Sequence, residues 1–322
     1  MTVISADDVL AARERIAGRI HRTPLVRSRA LSEMTGYEVF FKAENLQKTG
    51  SFKIRGACNK ILPLSEEEGR RGIITASSGN HGQAVAYAAR LCGYSATVIM
   101  PEGGSPVKAA SIKDYGAELL FCGTKSGERI ALAQKMCAES GAVFVPPYDD
   151  PFVMAGQGTV GLEILEDLED ASAVLVPTGG CGLISGIAAA IKEKKPDTAV
   201  FGVEPEGSAS TGISFRAGKR TALDHINTVA DGIRTTIPGE LTFPVVQKYV
   251  DDMLTVTDED VIRAQLLILE RCKLLAEPTG AVAFAALLRG ALPEKFRGKR
   301  VVSLISGGNV TLRQLADCIR AR

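Results

Sequence analysis

The 322-residue sequence predicts an α/β protein with two open, mostly parallel twisted sheets flanked by helices. Three observations predict it. Short β-rich runs alternate with segments of helical spacing almost from end to end. The strand candidates are apolar throughout, as strands covered by helices on both faces must be. The length also exceeds what one core comfortably serves, so a large and a small domain are expected.

In chain order, the strand candidates are Val39–Ala43, Gly72–Ala76, Ala96–Met100, Glu118–Cys122, Ala142–Val145, Ala173–Pro177, Val200–Glu204 and Arg300–Ile305. Between them lie helical spacings such as "HGQAVAYAARLCG" (81–93) and "VKAASIKDYG" (107–116). Four strand candidates crowd into 72–145, and "PPYDDP" (146–151) has the composition of an exit linker. The expected division is therefore a small inserted α/β domain, 69–149, within a large domain of 1–68 and 150–322.

Composition excludes several classes of function. Thirty-eight basic residues nearly cancel 37 acidic ones, so no long-range field draws nucleic acid or an anionic membrane. The longest apolar runs, such as "AVAFAALL" (281–288), fall short of the ~20 residues of a membrane span. The N-terminus lacks a signal-peptide core. Seven scattered cysteines without a C-x-x-C pair argue against a disulfide framework and structural zinc. The simplest reading is a cytoplasmic enzyme, expected as a homo-oligomer (dimer or tetramer), acting on a small molecule.

Sheets of this kind bind ligands at the carboxyl ends of their strands, and the candidate residues lie there. In "KTGSFKIRGA" (48–57), Lys53 stands between Phe52 and Ile54 with a glycine near each end. A desolvated ammonium loses its proton more readily, which suits a nucleophile. A half-buried stem with a wet head is the plainer alternative. In "ITASSGNHGQA" (74–84), a strand runs through a Ser-Ser-Gly-Asn turn into a helix. Its N–H groups and dipole suit an anion, with Ser77 and Asn80 adding donors, although both residue types also cap helices.

In "VLVPTGGCGLISG" (174–186), Gly179, Gly180 and Gly182 can present N–H groups to a phosphate. Glu204, about 20 residues later, also admits a dinucleotide reading, weakened by Ser185 at the third fingerprint position. "VVSLISGGNV" (301–310) delivers Ser306 from a strand into a Gly-Gly turn. An amine, a carboxylate cradle, a phosphate cradle and a hydroxyl are together the set that pyridoxal 5′-phosphate requires.

"GSFKIRGA", "SSGNHGQA", "GGCGL" and "SGGN", in this order and at these separations, resemble the threonine dehydratase and serine racemase family of fold-type-II pyridoxal-phosphate enzymes. The resemblance runs from "RTPLVRSRALS" (22–32) to the C-terminus. It implies that Lys53 holds the cofactor as a Schiff base with Phe52 beside it. Asn80 would bond the phenolic oxygen, and Gly179, Gly180, Cys181, Gly182 and Leu183 the phosphate. Ser306 would face the ring nitrogen, and Ser77, Gly79, Asn80 and His81 would receive the substrate carboxylate.

This chain departs from the family pattern at Cys181, where a glycine is usual. Backbone donation is expected to survive the side chain only if φ is negative there. A cation site at Glu204 and Ser208 is a further implication, weakened because Ser210 stands where the racemases carry aspartate.

The implied reaction is β-elimination from L-threonine or L-serine, giving a 2-oxo acid and ammonia. A serine at the ring nitrogen cannot protonate it as an aspartate would, which weakens the electron sink and disfavours transamination. Ser78, the second serine of its motif, stands in racemising relatives on the cofactor face opposite the lysine. Serine racemase and 3-hydroxyaspartate dehydratase are therefore the near alternatives, and an NAD-dependent oxidoreductase or a catalytically idle relative the distant ones. The chain ends too early for an effector-binding domain, so isoleucine feedback is not expected.

Overall fold

The computed structural model describes residues 3–320 apart from 78, 105 and 125. Its strands are β1 (Leu25–Arg27), β2 (Glu38–Ala43), β3 (Ile73–Ala76), β4 (Ala96–Met100), β5 (Glu118–Phe121), β6 (Val143–Phe144), β7 (Ala173–Pro177), β8 (Ala199–Pro205), β9 (Asp252–Val256) and β10 (Arg300–Ile305). They form a six-stranded sheet in the order β1-β2-β10-β7-β8-β9 and a four-stranded sheet in the order β5-β4-β3-β6. Every pairing is parallel except β1 with β2. All four strands of the smaller sheet fall within 73–144.

Two strands escaped the sequence expectations, and both lie at sheet edges. β1 has three residues, none fully buried, and β9 begins on an exposed Asp252. An edge strand satisfies one ladder and one covered face, so its apolar signal is weak.

The central strands bury both faces by simple alternation. Val301 and Ile305 of β10 join Leu175 of β7, Phe201 of β8 and Phe284 of the helix Pro278–Arg289 in one core. Val302 and Leu304 join Val174, Val176 and Val200 in the other, against Ile184 and Ile187 of the helix Gly182–Lys194. Phe41 and Phe284 meet edge to face at 5.1 Å, a favoured aromatic geometry. A third core shares the helix Lys53–Ile61 with the smaller sheet: Ile54, Ala57 and Cys58 pack with Val85, Ala89 and Val98.

That helix is anchored by a charge network that sequence reading did not anticipate. Arg55 is fully buried and donates to Glu44, Glu163 and Thr159, while the fully buried Lys42 pairs with Glu163 at 2.6 Å. Two cations thus face Glu44 and Glu163, with Asp167 also 3.6 Å from Lys42, and every Arg55 N–H is used. Buried charges persist only when paired and hydrogen-bonded this completely.

The segment 146–151, expected as a linker, is half-buried over most of its length and supplies two helix caps. Asp150 caps the helix Pro151–Asp167 through Val153 N–H and pairs with Lys60 at 2.8 Å. Asp149 accepts the N–H groups of Glu240, Leu241 and Thr242, capping the helix Thr242–Tyr249. Both aspartates do what an N-terminal cap does, which is to satisfy orphan donors.

Candidate active site

The carboxyl ends of β3, β7 and β10 converge on one cavity of about 940 Å³. Phe52, Lys53, Ser77, Asn80, the 179–183 loop and Ser306 all line it, although they come from four separate stretches of chain.

Lys53 opens the helix Lys53–Ile61, so its side chain starts at the positive end of that helix. Its Nζ donates to the Pro147 carbonyl at 2.6 Å and lies 5.2 Å from the Phe52 ring centroid. Burial pulls its ammonium down from 10.5 to about 8, because the charged form loses hydration. An appreciable share of the amine is therefore neutral near pH 8. The glycines around it have distinct tasks. Gly50 has φ +71°, which favours glycine, and a side chain on Gly56 would meet the Val153 carbonyl at 2.8 Å.

The turn after β3 leads into the helix Asn80–Cys92. Ser77 Oγ accepts from Gly82 N–H at 2.9 Å and Gly79 N–H at 3.2 Å, so it does cap the helix. The N–H groups of Asn80 and His81 remain as first-turn donors without an intrahelical acceptor. His81 is 3% exposed and its Nε2 pairs with the Val145 carbonyl at 3.0 Å. Burial, helped by the Lys53 charge, holds its imidazole down at about 3 and therefore neutral. Any role of His81 toward a carboxylate falls to its main chain. Ser78 lies outside the described residues.

The glycine loop passes beneath Tyr148. A side chain on Gly180 would meet the Tyr148 ring at 2.3 Å, and one on Gly182 the Tyr148 backbone at 2.9 Å. The N–H groups that begin the helix Gly182–Lys194 have no intrahelical acceptor, leaving an anion-binding end facing the cavity.

Cys181 corrects the expected backbone. Its φ is +72°, in the left-handed region, not negative. The conformation is held from below: Sγ donates to the Gly179 carbonyl at 3.3 Å and meets Thr211 Oγ1 at 3.2 Å, while Thr211 Oγ1 donates to Gly179 O at 3.1 Å. Burial pushes its thiol up, so it stays protonated.

Ser306 is 2% exposed and its carbonyl accepts Phe52 N–H at 3.1 Å, tying the end of β10 to the lysine segment. Glu204 ends β8 fully buried, and its two oxygens accept Thr211 N–H at 2.9 Å and Gly212 N–H at 2.7 Å. Burial raises its carboxyl to about 7. Ser208 Oγ donates to the Ile233 carbonyl at 2.9 Å. Among the described residues no cluster of three or more His, Cys, Asp or Glu side chains converges on a metal position.

Sequence reading passed over several cavity residues. Glu277, 2% exposed, accepts from Asn80 Nδ2 at 2.7 Å, and burial with nearby Asp231 raises its carboxyl to about 7. Lys108, from the smaller sheet's side, pairs with Asp231, and both line the cavity. Tyr148 covers the glycine loop. Only "PPYDDP", noted as a linker, held a signal for any of these.

A model of the family described as pyridoxal-phosphate dependent enzyme matches residues 16–307. The chain is 46% identical over 313 residues to the L-threonine ammonia-lyase of Thermotoga maritima, covering 97% of this chain and 77% of that one. It is 42% identical over 314 residues to the catabolic L-threonine dehydratase of Escherichia coli, covering 98% and 95%. Among solved structures, maize serine racemase superposes with a TM-score of 0.94 at 37% identity, covering 99% and 98% of the two chains. Threonine deaminase isoform 2 from Solanum lycopersicum gives 0.90 at 34% identity, covering 98% and 91%.

Proposed function

We propose that this chain, which belongs to the pyridoxal-phosphate-dependent enzyme family, acts on L-threonine and L-serine as an ammonia-lyase. Threonine would yield 2-oxobutanoate and ammonia, and serine pyruvate and ammonia. The observation that carries the reading is Lys53: a buried amine drawn down to about 8, in a cavity shared with a glycine loop, an amide and a strand-end hydroxyl.

The residues present fit the cofactor. Lys53 would hold it, the loop from Gly179 to Leu183 would take its phosphate, and Asn80 and Ser306 would meet its phenolic oxygen and ring nitrogen. When bound, it supplies the sink for electrons released at the substrate α-carbon. The protein's task is to place and move protons. Once the substrate amine has displaced it, Lys53 Nζ would take the α-proton, and the β-hydroxyl would leave with the bonding pair of its C–O bond and be protonated to water. The N–H groups of Asn80 and His81 orient the carboxylate. Ser306 offers the ring nitrogen a hydroxyl in place of an acid, so the sink stays weak and departure of the β-substituent is favoured.

Racemisation is a second activity of the same site, suggested by Ser78 and by the similarity to maize serine racemase. A cation at Glu204 and Ser208 would share a carboxylate whose two oxygens already accept the Thr211 and Gly212 N–H groups. The proposed division into 1–68 with 150–322 and 69–149 follows the smaller sheet. A homo-oligomer would cover the exposed Leu312 and Ile319 of the C-terminal helix. Seven free cysteines suit a reducing cytoplasm.

One experiment tests the main reading. Purified protein is scanned for the cofactor's visible absorbance, then assayed for 2-oxo acid with L-threonine, L-serine, D-serine and both 3-hydroxyaspartate diastereomers. Chiral chromatography of residual serine reads racemisation in parallel. Turnover of a 3-hydroxyaspartate well above that of L-threonine would overturn the substrate assignment.

A further inference from the structure

We infer that Glu277 and Asn309 are positioning residues that fix which end of the Asn80 amide faces the cofactor. The inference rests on the reading of Asn80 as partner of the phenolic oxygen. An asparagine amide has a donor end and an acceptor end, and only the donor end suits an ionised phenolic oxygen.

The polarity propagates from a single carbonyl. Thr49 O can only accept, so Asn309 turns its Nδ2 toward it, at 2.8 Å. The same Nδ2 donates to Asn80 Oδ1 at 2.9 Å. With Oδ1 so engaged, Asn80 Nδ2 donates to Glu277 Oε1 at 2.7 Å. One Nδ2 hydrogen is then left for the cavity that Asn80 lines. A flipped Asn80 would set donor against donor at Asn309 and acceptor against carboxylate at Glu277. Both contacts are repulsive, the second while Glu277 is ionised.

The backbone is shaped around this relay. Thr49 is β-branched yet left-handed, with φ +62°, and Gly50 follows at +71°. A β-branched residue rarely adopts this conformation, and such strain persists only where the surroundings enforce it. A side chain at Gly50 would meet Asn309 Oδ1 at 2.2 Å, and one at Gly307 would meet Glu277 Oε1 at 2.6 Å. Glycines of "KTGSFK" and "SGGN" thus leave room for the two residues that orient Asn80. Glu277 itself is fixed by its N–H, which donates to Gly307 O at 3.1 Å.

The test is spectroscopic, on the holoenzyme at fixed pH. It reads the ratio of the ionised-phenolate and neutral-phenol absorption bands of the bound cofactor, with thermal stability measured alongside. Asn309→Asp keeps the side chain's size but can only accept, so it competes for Asn80 Nδ2. The ratio is expected to move about tenfold toward the neutral phenol, the loss of one hydrogen bond to a charged oxygen. Asn309→Ala is expected to move it less, and Glu277→Gln least, because glutamine can still accept from Asn80. If Asn309→Asp loses the cofactor or the fold, Asn309→Ala decides by the same ratio.

Asn80→Ala separates the two claims. Unchanged bands in that variant would remove the reading of Asn80, and the inference with it. Bands that shift in Asn80→Ala but stay at the wild-type ratio in both Asn309 variants would overturn the positioning role alone. So would an Asn309 variant whose stability falls while its ratio holds.

Discussion

Arg55→Met should cost about 3 kcal/mol of stability, and the structure says where the loss falls. Nε donates to Glu44 Oε2 at 2.8 Å and Nη2 to Glu44 Oε1 at 2.7 Å. Nη1 reaches Glu163 Oε1 at 2.7 Å and Thr159 Oγ1 at 3.0 Å, and Nη2 also reaches Glu163 Oε2 at 2.9 Å. Methionine fills much of the volume and supplies none of these donors. Glu163 keeps Lys42, whereas Glu44, fully buried, is left with the Thr23 hydroxyl. Breaking a buried pair costs ~3–5 kcal/mol because a charge is abandoned there, and the retained Lys42 places this case at the lower end. Adding Glu44→Gln removes the abandoned charge, so the double variant should regain about 1–2 kcal/mol over Arg55→Met. Urea denaturation of the apoprotein, followed by circular dichroism, measures all four members of the cycle. Arg55 lies two residues after Lys53, so cofactor affinity should fall with stability. A cost below about 1 kcal/mol, or a double variant less stable than Arg55→Met, would refute the argument.

Lys53 titrates near 8 in the fold against 10.5 in the free chain, so between those values the unfolded state binds the extra proton. Stability of the apoprotein relative to Lys53→Met should therefore rise as pH climbs from about 8 to 10.5, and a flat difference would contradict the buried amine. His81, held near 3, works on the acid side with the same sign. Its contribution is lost as pH falls from 6.5 toward 3, and His81→Gln should flatten that limb of an acid-denaturation curve. Ser306→Asp would offer the cofactor's ring nitrogen an acid, and 2-oxo acid formation should drop at least about tenfold, roughly the effect of one charge-assisted hydrogen bond. Steady-state assay of the cofactor-loaded variant checks this, and a retained rate would remove the role given to Ser306.

What could be seen in advance followed from periodicity and from chemistry concentrated in short segments. β2, β7, β8 and β10 alternate between two cores, so their apolar runs announced them, whereas β1 and β9 at the edges did not. Lys53, the glycine loop and Ser306 sit beside residues that make no sense on a wet surface. Glu277 was hidden because an acid just before Pro278 looks like an ordinary helix N-terminus, and its partner Asn80 lies 197 positions away. Arg55 was hidden similarly: an arginine two residues after a candidate nucleophile suggests solvent, and Glu163 is 108 positions away. Cys181 was misjudged in a narrower way. The loop was expected to need negative φ there, but the Sγ–H bond to Gly179 O, beside the Sγ contact with Thr211 Oγ1, stabilises the left-handed form against a cost of ~1–2 kcal/mol.

The two sides of the cavity are not equally held. On one side, Lys53, the glycine loop and Ser306 rise from elements whose cores are fully buried and whose charges are paired inside the protein. On the other side, the helix Pro106–Asp114 buries Ile112 alone, and Val107 beside Lys108 is 57% exposed. Little apolar contact resists local opening there, and sparse contact is what marks the low-stability parts of a fold. The Lys108–Asp231 pair ties this helix across the cavity, with Lys108 mostly buried and Asp231 partly exposed. Disturbing the lysine helix, by contrast, must break a fully buried charge network.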